Sequence, residues 1–597
     1  MSTEKNPLVD DRFVDFLLYD VLDASSLCKF PGFEHHSKET FDLFLDSARK
    51  LARQDLLPTY KSMDENPPTF ENGRVITHPA LGDLWRQMVE LGVLTGTRPE
   101  EVGGQQIPIL LHTLATSYLM AANLSAYGYV GLTLGAAHLI EAFGSDDIKA
   151  QFMRPMYDGD WNGTMALTEP HAGSSLGDIT STATPTNEGH YLIKGSKIFI
   201  SGGDQSFAEN TVNLALARIE GAPAGTKGIS LFAIPRMRPE NGELVPNDVT
   251  VAGVIHKIGW RGLPSLALEF GDTNDCRGWL VGEPHQGLRY MFQMMNEARI
   301  MVGVNGASTA SVAYHEARNY AIDRRQGRRP GERSEEQVPI VTHPDVRRML
   351  LRQKAIVEGS FAVLATTARY SDIATHGPDE ERERASLLLD LLTPIAKTFP
   401  AERGFEANTL AIQIHGGYGY TSEYLPEAYM RDQKLNSLHE GTSGIQSMDL
   451  LGRKVVAKGG AGLRALGEEI AATVQQARDA GFDPELCDMV AQATDAAISL
   501  TMELAQRGMA GDTDGMLGHS WDYLDMMATL VVAWQWLKMA AVAQELLGAN
   551  PEHPDQLRGT EAAARYWIRT EVPRIGVLAE LCRSAEDSYL TTDPAWL

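Results

Sequence analysis

Glu440 is the candidate general base of this sequence. It lies in LHEGTS, residues 438–443, where a glycine and two hydroxyl side chains directly follow the carboxylate. Such a segment is typical of a chain bend and not of a solvated helix face. A carboxylate held away from water can act as a general base. The alternative is an exposed surface glutamate, which is the ordinary place for this residue type.

Two further segments could hold a planar ligand. In MALTEPHAGS, residues 165–174, an apolar strand ends in Thr and Glu before a Gly/Ser turn that exposes N–H groups and hydroxyls. In IFISGG, residues 198–203, Phe199 precedes Ser201 by two positions, so both lie on one face of a strand. An aromatic ring beside a hydroxyl suits a flavin. The alternatives are a plain strand-to-loop transition for the first segment and core packing of the ring for the second.

A glycine-rich segment and a basic segment could bind an anion. QIHGGYGY, residues 413–420, has glycines that permit close approach of the backbone to a ligand. RRQGRR, residues 324–329, is basic in an acidic chain, and arginine forks suit a pyrophosphate. A helix-ending turn and a solvated loop are the respective alternatives. GAGLRA, residues 460–465, matches a loosened dinucleotide fingerprint, but helical sequence on both sides indicates a linker.

The elements that must position these residues form three successive blocks. Helical spacing marks the first block, at 41–57, 81–94 and 110–143, with Pro58 expected to end the first helix. Short strand-like runs mark the second block, between about 161 and 285, at 191–200, 212–219, 229–234 and 266–270. Helical sequence returns from Gly287, with long helices expected at 486–506 and 520–547. This order excludes the βαβ alternation of a doubly wound sheet.

Composition narrows the class of partner. A net charge of −25 over 597 residues disfavours binding to nucleic acid or to anionic lipid. The four cysteines are scattered without a C-x-x-C pair, which fits a reducing compartment. The N-terminus lacks a secretory pattern, the C-terminus is not a peroxisomal address, and the most apolar stretch, 526–534, is about half of the ~20 residues a membrane helix needs. These features predict a cytoplasmic enzyme without a transmembrane segment.

Four ordered motifs resemble those of the acyl-CoA dehydrogenase family of flavoproteins. The motifs are MALTEPHAGS, KIFISGG, QIHGGYGY and HEGTSGIQ, and the resemblance runs from about residue 41 to 455. The additional C-terminal residues and the long N-terminal lead are similar to the long branch of the family that includes 3-methylmercaptopropionyl-CoA dehydrogenases.

The resemblance implies an α+β, mostly α, fold. The family combines an N-terminal helical domain, a β-barrel-like middle domain and a four-helix C-terminal domain, to which this chain adds further helices. The implied division is an extension at 1–40, the helical domain at 41–160, the β domain at 161–285, the C-terminal helical domain at 286–458 and the additional helical domain at 459–597.

The resemblance also implies FAD as the cofactor and carries the family's flavin positions onto this chain. Leu167 and Thr168 match residues that bond the flavin ring, Phe199 an aromatic packed on it, and Ser201 a hydroxyl near N5. The remaining matched positions are those expected to receive the pyrophosphate and adjoining parts of FAD, partly from a neighbouring subunit: Arg324, Gln326, Gln413, Gly416, Gly417 and Thr442. The phenylalanine that follows the Arg-x-Gln pattern in the family is absent here.

For the chemistry, the resemblance implies that Glu440 is the base. Some members carry the base at the position of Ala298, which cannot take a proton here, and the adjacent Glu297 is the second choice. His439 is either a residue that tunes substrate or pH or a plain packing residue. Positions expected near the CoA chain or the active-site helix are Ser174, Asn296 and Arg299.

The reaction implied is α,β-dehydrogenation of an acyl-CoA to a trans-2-enoyl-CoA, as in fatty acid β-oxidation. Electrons would pass to an electron-transfer flavoprotein, and the enzyme would be a homodimer. An acyl-CoA oxidase that uses oxygen and a non-catalytic flavin-binding family member are the alternatives.

Overall fold

A computed structural model describes residues 6–329, 331 and 336–597, and the side chains of 292–295 are outside this description. The described chain forms two units. The sheet unit comprises Leu43–Ile107 and Ala122–Ala298, and it contains all the strands found in the described residues. The helical unit comprises 6–42, Pro108–Ala121 and the described part of Arg299–Leu597. The first five residues of the N-terminus examined above for a targeting pattern lie outside the described residues.

Helices account for most of the fold. Before residue 161 they are α1 Asp11–Asp15, α2 Lys38–Leu51, α3 Leu57–Glu65, α4 Leu81–Glu90, α5 Ile109–Ala122, α6 Leu124–Phe143, α7 Asp146–Ile148 and α8 Arg154–Tyr157. After the strands they are α9 Gly287–Asp323, α10 Pro344–His376, α11 Asp379–His415, α12 Pro426–Gln433, α13 Ser443–Asp449, α14 Ala461–Asp479, α15 Pro484–Met509, α16 Thr513–Leu517, α17 Ser520–Gly548, α18 Pro554–Thr570, α19 Arg574–Ser584 and α20 Ser588–Thr591.

Most strands belong to one sheet of eight. The strands of the sheet unit are β1 Thr69–Glu71, β2 Arg74–Ile76, β3 Trp161–Ala166, β4 Thr182–Pro185, β5 Tyr191–Ser201, β6 Asn210–Ile219, β7 Ile229–Pro235, β8 Met237–Glu240, β9 Glu243–Pro246, β10 Val249–Ile255, β11 Ser265–Phe270 and β12 Arg277–Leu280. The sheet runs β10-β11-β5-β12-β7-β6-β3, with β4 beside β5 and β6. Only the β3–β6 and β4–β6 pairs of this sheet are parallel among the pairs described. β1–β2 and β8–β9 are separate hairpins.

The part of the large sheet around β6 and β7 is buried on both faces. In β6, Leu214 and Leu216 join a core cluster with residues of α6 and α8, whereas Ala215 and Ala217 join a second cluster with residues of β5, β7 and β11. Successive side chains of a strand point to opposite faces, so one strand serves two cores. This explains why β6 reads as a nearly continuous apolar run rather than as an alternating one.

The predicted blocks are confirmed, but Pro58 does not end the first helix as the sequence suggested. A π-helical turn at Ala52–Leu56 follows α2 directly, and Pro58 falls in the first turn of α3. Proline is tolerated there because the first N–H groups of a helix have no intrahelical acceptor. The β1–β2 hairpin was also absent from the sequence interpretation, which placed only helices in this block. The division of the chain at 40, 160, 285 and 458 stays a prediction.

The C-terminal helices pack on α10 and α11 within the helical unit. In α17, the indole Nε1 of Trp536 donates to Ala355 O of α10 at 3.1 Å, and the ring of Trp567 in α18 meets that of Phe399 in α11 at 5.6 Å. Of the described residues, one helical stretch, Thr513–Gly548, is long and apolar enough to cross a membrane. Its most apolar window has a mean hydropathy of 1.4 and is 94% buried inside the protein. A helix in a protein core has the same apolar composition, so this stretch also fits a buried core helix.

Candidate active site

Glu440 lies on a short loop between the 3₁₀ turn Lys434–Ser437 and α13, where the backbone is unusual. Its φ is +52°, and that of Gly441 is +86°. Glycine adopts this left-handed region freely, but a glutamate does so at a cost of the order of 1 kcal/mol or more. Such conformations persist only where surrounding contacts hold them, and they occur often at functional sites.

Two side chains hold the backbone carbonyls of this loop. The ammonium of Lys397, in α11, donates to Gly441 O at 2.9 Å. The amide of Gln446, in α13, donates to Glu440 O at 3.1 Å. Because both carbonyls are bonded from elements outside the loop, the left-handed conformation is fixed from two directions.

Hydroxyl groups fix the residues after the loop. Thr442 Oγ1 accepts the N–H of Ile445 at 3.3 Å and thereby caps α13, which satisfies one of the otherwise unpaired first-turn N–H groups. Ser443 Oγ donates to Glu402 Oε1 of α11 at 2.5 Å. The two hydroxyls that follow Glu440 in the sequence therefore anchor the loop to α13 and α11.

The electrostatics of this loop favour a carboxylate that can exchange a proton. Burial raises the pKa of Glu440, and the positive charges of Lys397 and Arg299 partly oppose that rise. Burial lowers the pKa of Lys397 to about 8 and that of His439 to about 3. With so low a pKa His439 is only a weak base, whereas the raised pKa of Glu440 makes its carboxylate the stronger proton acceptor of the loop.

Arg299 is buried and already paired. Its Nη1 donates to Asp449 Oδ2 at 2.8 Å, and Asp449 also accepts from Arg453 at 2.6 Å. Only 4% of Arg299 is exposed, and its Nε is buried without a hydrogen-bond partner among the described residues. Asp449 had no place in the sequence interpretation, since nothing in the spacing connects two residues so far apart in the chain. The expected substrate role of Arg299 stays a prediction, and the orphaned Nε is the atom that fits it.

The other acid considered, Glu297, belongs to the sheet unit. It is exposed, and its carboxylate lies 3.2 Å from His138 Nδ1 of α6. Its neighbours Asn296 and Ala298 are half-buried in α9. The contact with His138 gives Glu297 a partner within its own unit, whereas Glu440 forms no ion pair with any of the residues that the structure describes.

In the sheet unit, the residues expected beside the flavin ring follow the end of β3. Lys197 Nζ donates to Leu167 O at 3.1 Å, and the N–H of Ile198 donates to Thr168 O at 2.9 Å. The Leu167 side chain packs against the core cluster on the α6 side of the sheet. These contacts hold the two residues rigidly to β5, as a ligand-binding edge requires.

Glu169, the next residue, is structural rather than catalytic. It is 2% exposed, and its carboxylate accepts from Lys197 Nζ at 2.9 Å and from Ser181 Oγ at 2.5 Å. The N–H and the hydroxyl of Thr180 also donate to it. Although burial opposes ionisation, this set of donors lowers the pKa of Glu169 to about 2. The Thr-Glu pair at the strand end is thus partly explained by a buried ion pair that the sequence analysis missed.

Phe199 lies in a β-bulge between β5 and β11. Its φ is +60°, and the pairing register shifts at this point. The ring is 61% exposed, so the alternative of core packing is wrong. Ser201 is half-buried, and its carbonyl accepts from Thr164 Oγ1 at 2.5 Å. Ser174 is exposed in the loop after β3. An outward aromatic held by a bulge fits a planar ring stacked on it.

The expected pyrophosphate residues come together at one corner of the helical unit. The rings of Tyr320, near the end of α9, and His415, at the end of α11, stack at 4.3 Å. This stacking brings two sets of exposed residues to neighbouring helix ends: Arg324 and Gln326 on one, Gln413, Gly416 and Gly417 on the other. A Cβ added to either glycine would meet nothing within 4 Å, so their backbone is open to a ligand. Open glycines beside exposed arginine fit an anion such as the pyrophosphate of FAD.

Family models match nearly the whole chain. They are the acyl-CoA dehydrogenase N-terminal domain at 38–160, its middle domain at 164–273, its C-terminal domain at 285–455, and a model described as acetyl-CoA dehydrogenase C-terminal like at 466–593.

Individual proteins match at full length. A 3-methylmercaptopropionyl-CoA dehydrogenase of Ruegeria pomeroyi is 39% identical over 92% of this chain and 93% of its own. A butyryl-CoA dehydrogenase of Syntrophomonas wolfei is 31% identical over 98% of each chain. A solved structure of an acyl-CoA dehydrogenase from Bacillus anthracis, complexed with FAD, has a TM-score of 0.73 at 19% identity, covering 98% of this chain and 93% of its own.

Proposed function

The chain belongs to the acyl-CoA dehydrogenase family of FAD-dependent enzymes, and from that premise we propose that it dehydrogenates a short-chain acyl-CoA. The product is the trans-2-enoyl-CoA, and Glu440 is the base. The observation that carries this proposal is the Glu440 loop, in which a half-buried carboxylate with a raised pKa is held in a left-handed conformation by α11 and α13.

Glu440 removes the α-proton of the thioester. That proton is weakly acidic, so the base must be ionised and yet strong enough to take it. Burial raises the pKa of Glu440 and makes its carboxylate a better acceptor, while Lys397 and Arg299 keep the ionised form populated. The enolate charge that develops needs hydrogen bonds to the thioester oxygen, and the backbone N–H of Glu440 is the donor that the family pattern assigns.

FAD, when bound, accepts the β-hydrogen of the substrate as hydride at N5. Within the sheet unit, Leu167, Thr168, Phe199 and Ser201 would hold and cover its ring. Within the helical unit, the exposed corner would hold the pyrophosphate of FAD bound by a second subunit, which makes the homodimer part of this proposal: Arg324, Gln326, Gln413, Gly416 and Gly417. Thr442, whose oxygen caps α13, retains its hydroxyl hydrogen for a cofactor oxygen.

The named relatives favour a short acyl chain. The Ruegeria protein is named for 3-methylmercaptopropionyl-CoA and the Syntrophomonas protein for butyryl-CoA. Both acyl groups are short and unbranched. Ser174, Asn296 and Arg299 are the residues expected near the CoA chain or the active-site helix, and Arg299 has an Nε without a partner among the described residues. Electron-transfer flavoprotein is the proposed acceptor, and the cytoplasm the proposed location.

Anaerobic titration of the purified holoenzyme tests the proposal. Acyl-CoAs of short, medium and long chain are added separately while the visible flavin band is followed. We expect butyryl-CoA and 3-methylmercaptopropionyl-CoA to bleach the band with formation of the enoyl-CoA. Flavin that stays oxidised with every acyl-CoA would contradict the proposed reaction. Sustained peroxide formation in air, without another acceptor, would instead identify an oxidase.

A further inference from the structure

We propose that Lys397 is a positioning residue for Glu440, which it serves by fixing the Gly441 carbonyl and by placing a buried positive charge beside the carboxylate. The inference rests on the proposed function, because it concerns the base of that reaction. Lys397 itself lies on a different element, α11, and its side-chain nitrogen donates to the loop at Gly441 O.

Lys397 has no exposed surface, although lysine is a residue type that is rarely buried. Removal of an ammonium from water is costly, and an apolar side chain of similar length would fill the same space without that cost. The single side-chain hydrogen bond of Lys397 among those described is the one to Gly441 O. The position of this charge is therefore explained by what it does to the loop rather than by packing.

The helix around Lys397 is held tightly. Pro394 and Pro400 lie inside α11 on either side of it, and Pro400 cannot donate to the carbonyl of Ala396. That carbonyl is approached closely by Gly303 of α9, where an added Cβ would lie 2.1 Å from it. The backbone that carries Lys397 is thus packed against α9, which leaves its ammonium a defined direction of approach to Gly441.

The charged groups around Lys397 come from three elements. Glu402 on its own helix and Glu440 on the loop stabilise the ammonium, and Arg299 on α9 opposes it. His439 also faces it, and that ring is neutral because its pKa is about 3. Arg299 is compensated by Asp449, with which it forms a 2.8 Å ion pair. Both cations lower the pKa of Glu440, and Lys397 has the larger influence of the two.

The pH dependence of turnover separates this role from a purely structural one. A positive charge close to a carboxylate lowers its pKa by about 1–3 units. Removal of the Lys397 charge should therefore raise the pKa of Glu440, and the ionised base would be lost at a higher pH. A merely supportive residue would change the amount of folded enzyme or its maximal rate but would leave the acid limb of kcat/KM in place.

The experiment compares holoenzymes carrying Lys397→Met, Lys397→Gln and Lys397→Arg with the unsubstituted protein. For Met and Gln, we expect the acid limb of kcat/KM to move up by about one pH unit. The plateau rate should fall by about tenfold for Met, which offers no donor to Gly441 O, and by less for Gln, which does. Arg keeps the charge and should leave the acid limb where it is. FAD content and the thermal midpoint are recorded for each variant.

Lys454→Met is the matched control, because Lys454 is also nearly buried in the helical unit but pairs with Asp390. Its acid limb should coincide with that of the unsubstituted protein. If Lys397→Met does not fold, Lys397→Gln carries the same comparison. An unshifted acid limb in the Met and Gln variants would overturn the inference while the proposed function stands. An unsubstituted protein that no acyl-CoA reduces would overturn the proposed function instead.

Discussion

Each unit of this protein contains one fully buried lysine next to a functional segment, and the two differ in the carboxylate they serve. In the sheet unit, Lys197 bonds Leu167 O and Glu169 Oε1 directly. In the helical unit, Lys397 bonds Gly441 O. The pKa of Glu169 falls to about 2, whereas the pKa of Glu440 rises above its usual value.

The difference lies in the number of donors that reach the carboxylate. Four hydrogen bonds from Thr180 and Ser181 add to the lysine at Glu169, so its ionised form is locked in place. In the helical unit, Lys397 donates its hydrogen bond to the carbonyl of Gly441 and not to the Glu440 carboxylate. In the sheet unit the buried lysine therefore helps to hold the end of a strand rigid. In the helical unit it positions a base that can still take a proton.

The largest effect expected is on turnover, from Glu440→Gln. Without a carboxylate the α-proton has no acceptor, so kcat/KM should fall by about 10²–10⁴-fold while the protein keeps its yellow FAD. Stopped-flow reduction by butyryl-CoA measures the loss. Glu427→Gln, which removes a carboxylate paired with Arg431 on α12, is the control and should turn over normally. Near-normal reduction in Glu440→Gln would assign the base elsewhere, with Glu297 the next residue to change.

Glu169→Gln should act on stability rather than on chemistry. It leaves the Lys197 ammonium buried without its ionic partner, at an expected cost of about 3–5 kcal/mol in the free energy of unfolding. Denaturant unfolding measures this cost. Adding Lys197→Met to the same chain removes the stranded charge and should recover most of the loss. A single variant as stable as the unsubstituted protein would show that the pair does not hold the sheet edge.

The pH dependence of the two carboxylates should separate cleanly. The folded pKa of Glu169 lies below its unfolded value, so its contribution to stability is present above about pH 4.5 and is lost as the pH falls toward 2. The folded pKa of Glu440 lies above its usual value, so the ionised form of this base is lost at a higher pH than the ionised form of Glu169. On acidification, activity should therefore decline before the fold does. Activity and circular dichroism recorded on the same samples would contradict this if both fell together.

The smallest effect expected comes from Phe199→Ala. The ring is 61% exposed, so the free energy of unfolding of the apoprotein should change by less than about 0.5 kcal/mol. Loss of an aromatic partner should weaken FAD retention by about tenfold, measured by fluorescence during dilution. Phe70→Ala, another partly exposed aromatic of the sheet unit, is the control. Equal FAD retention in both variants would remove Phe199 from the cofactor site.

Local sequence signals predicted the blocks of helix and strand and brought the candidate residues into view, because strand alternation, glycine turns and the bend after Glu440 are short-range features. What the sequence did not reveal depends on distant partners. The bulge at Phe199 exists through the register of β5 against β11, and the π-turn that admits Pro58 shifts a helical hydrogen-bond pattern. Nothing in the sequence around Lys397 shows that Gly441, which is 44 residues away, lies against it.

The nearly complete burial of α17 also bears on how the chain is made. A helix this apolar resembles, as it leaves the ribosome, a segment that targeting machinery would engage. Several of its partners precede it, however: Trp536 bonds to Ala355 of α10, and Trp534 to Thr473 of α14. The helices α18 and α19, which also pack on α17, are synthesised after it. The order of the helices along the chain thus supplies a prepared surface for the emerging segment, which shortens the time it spends uncovered.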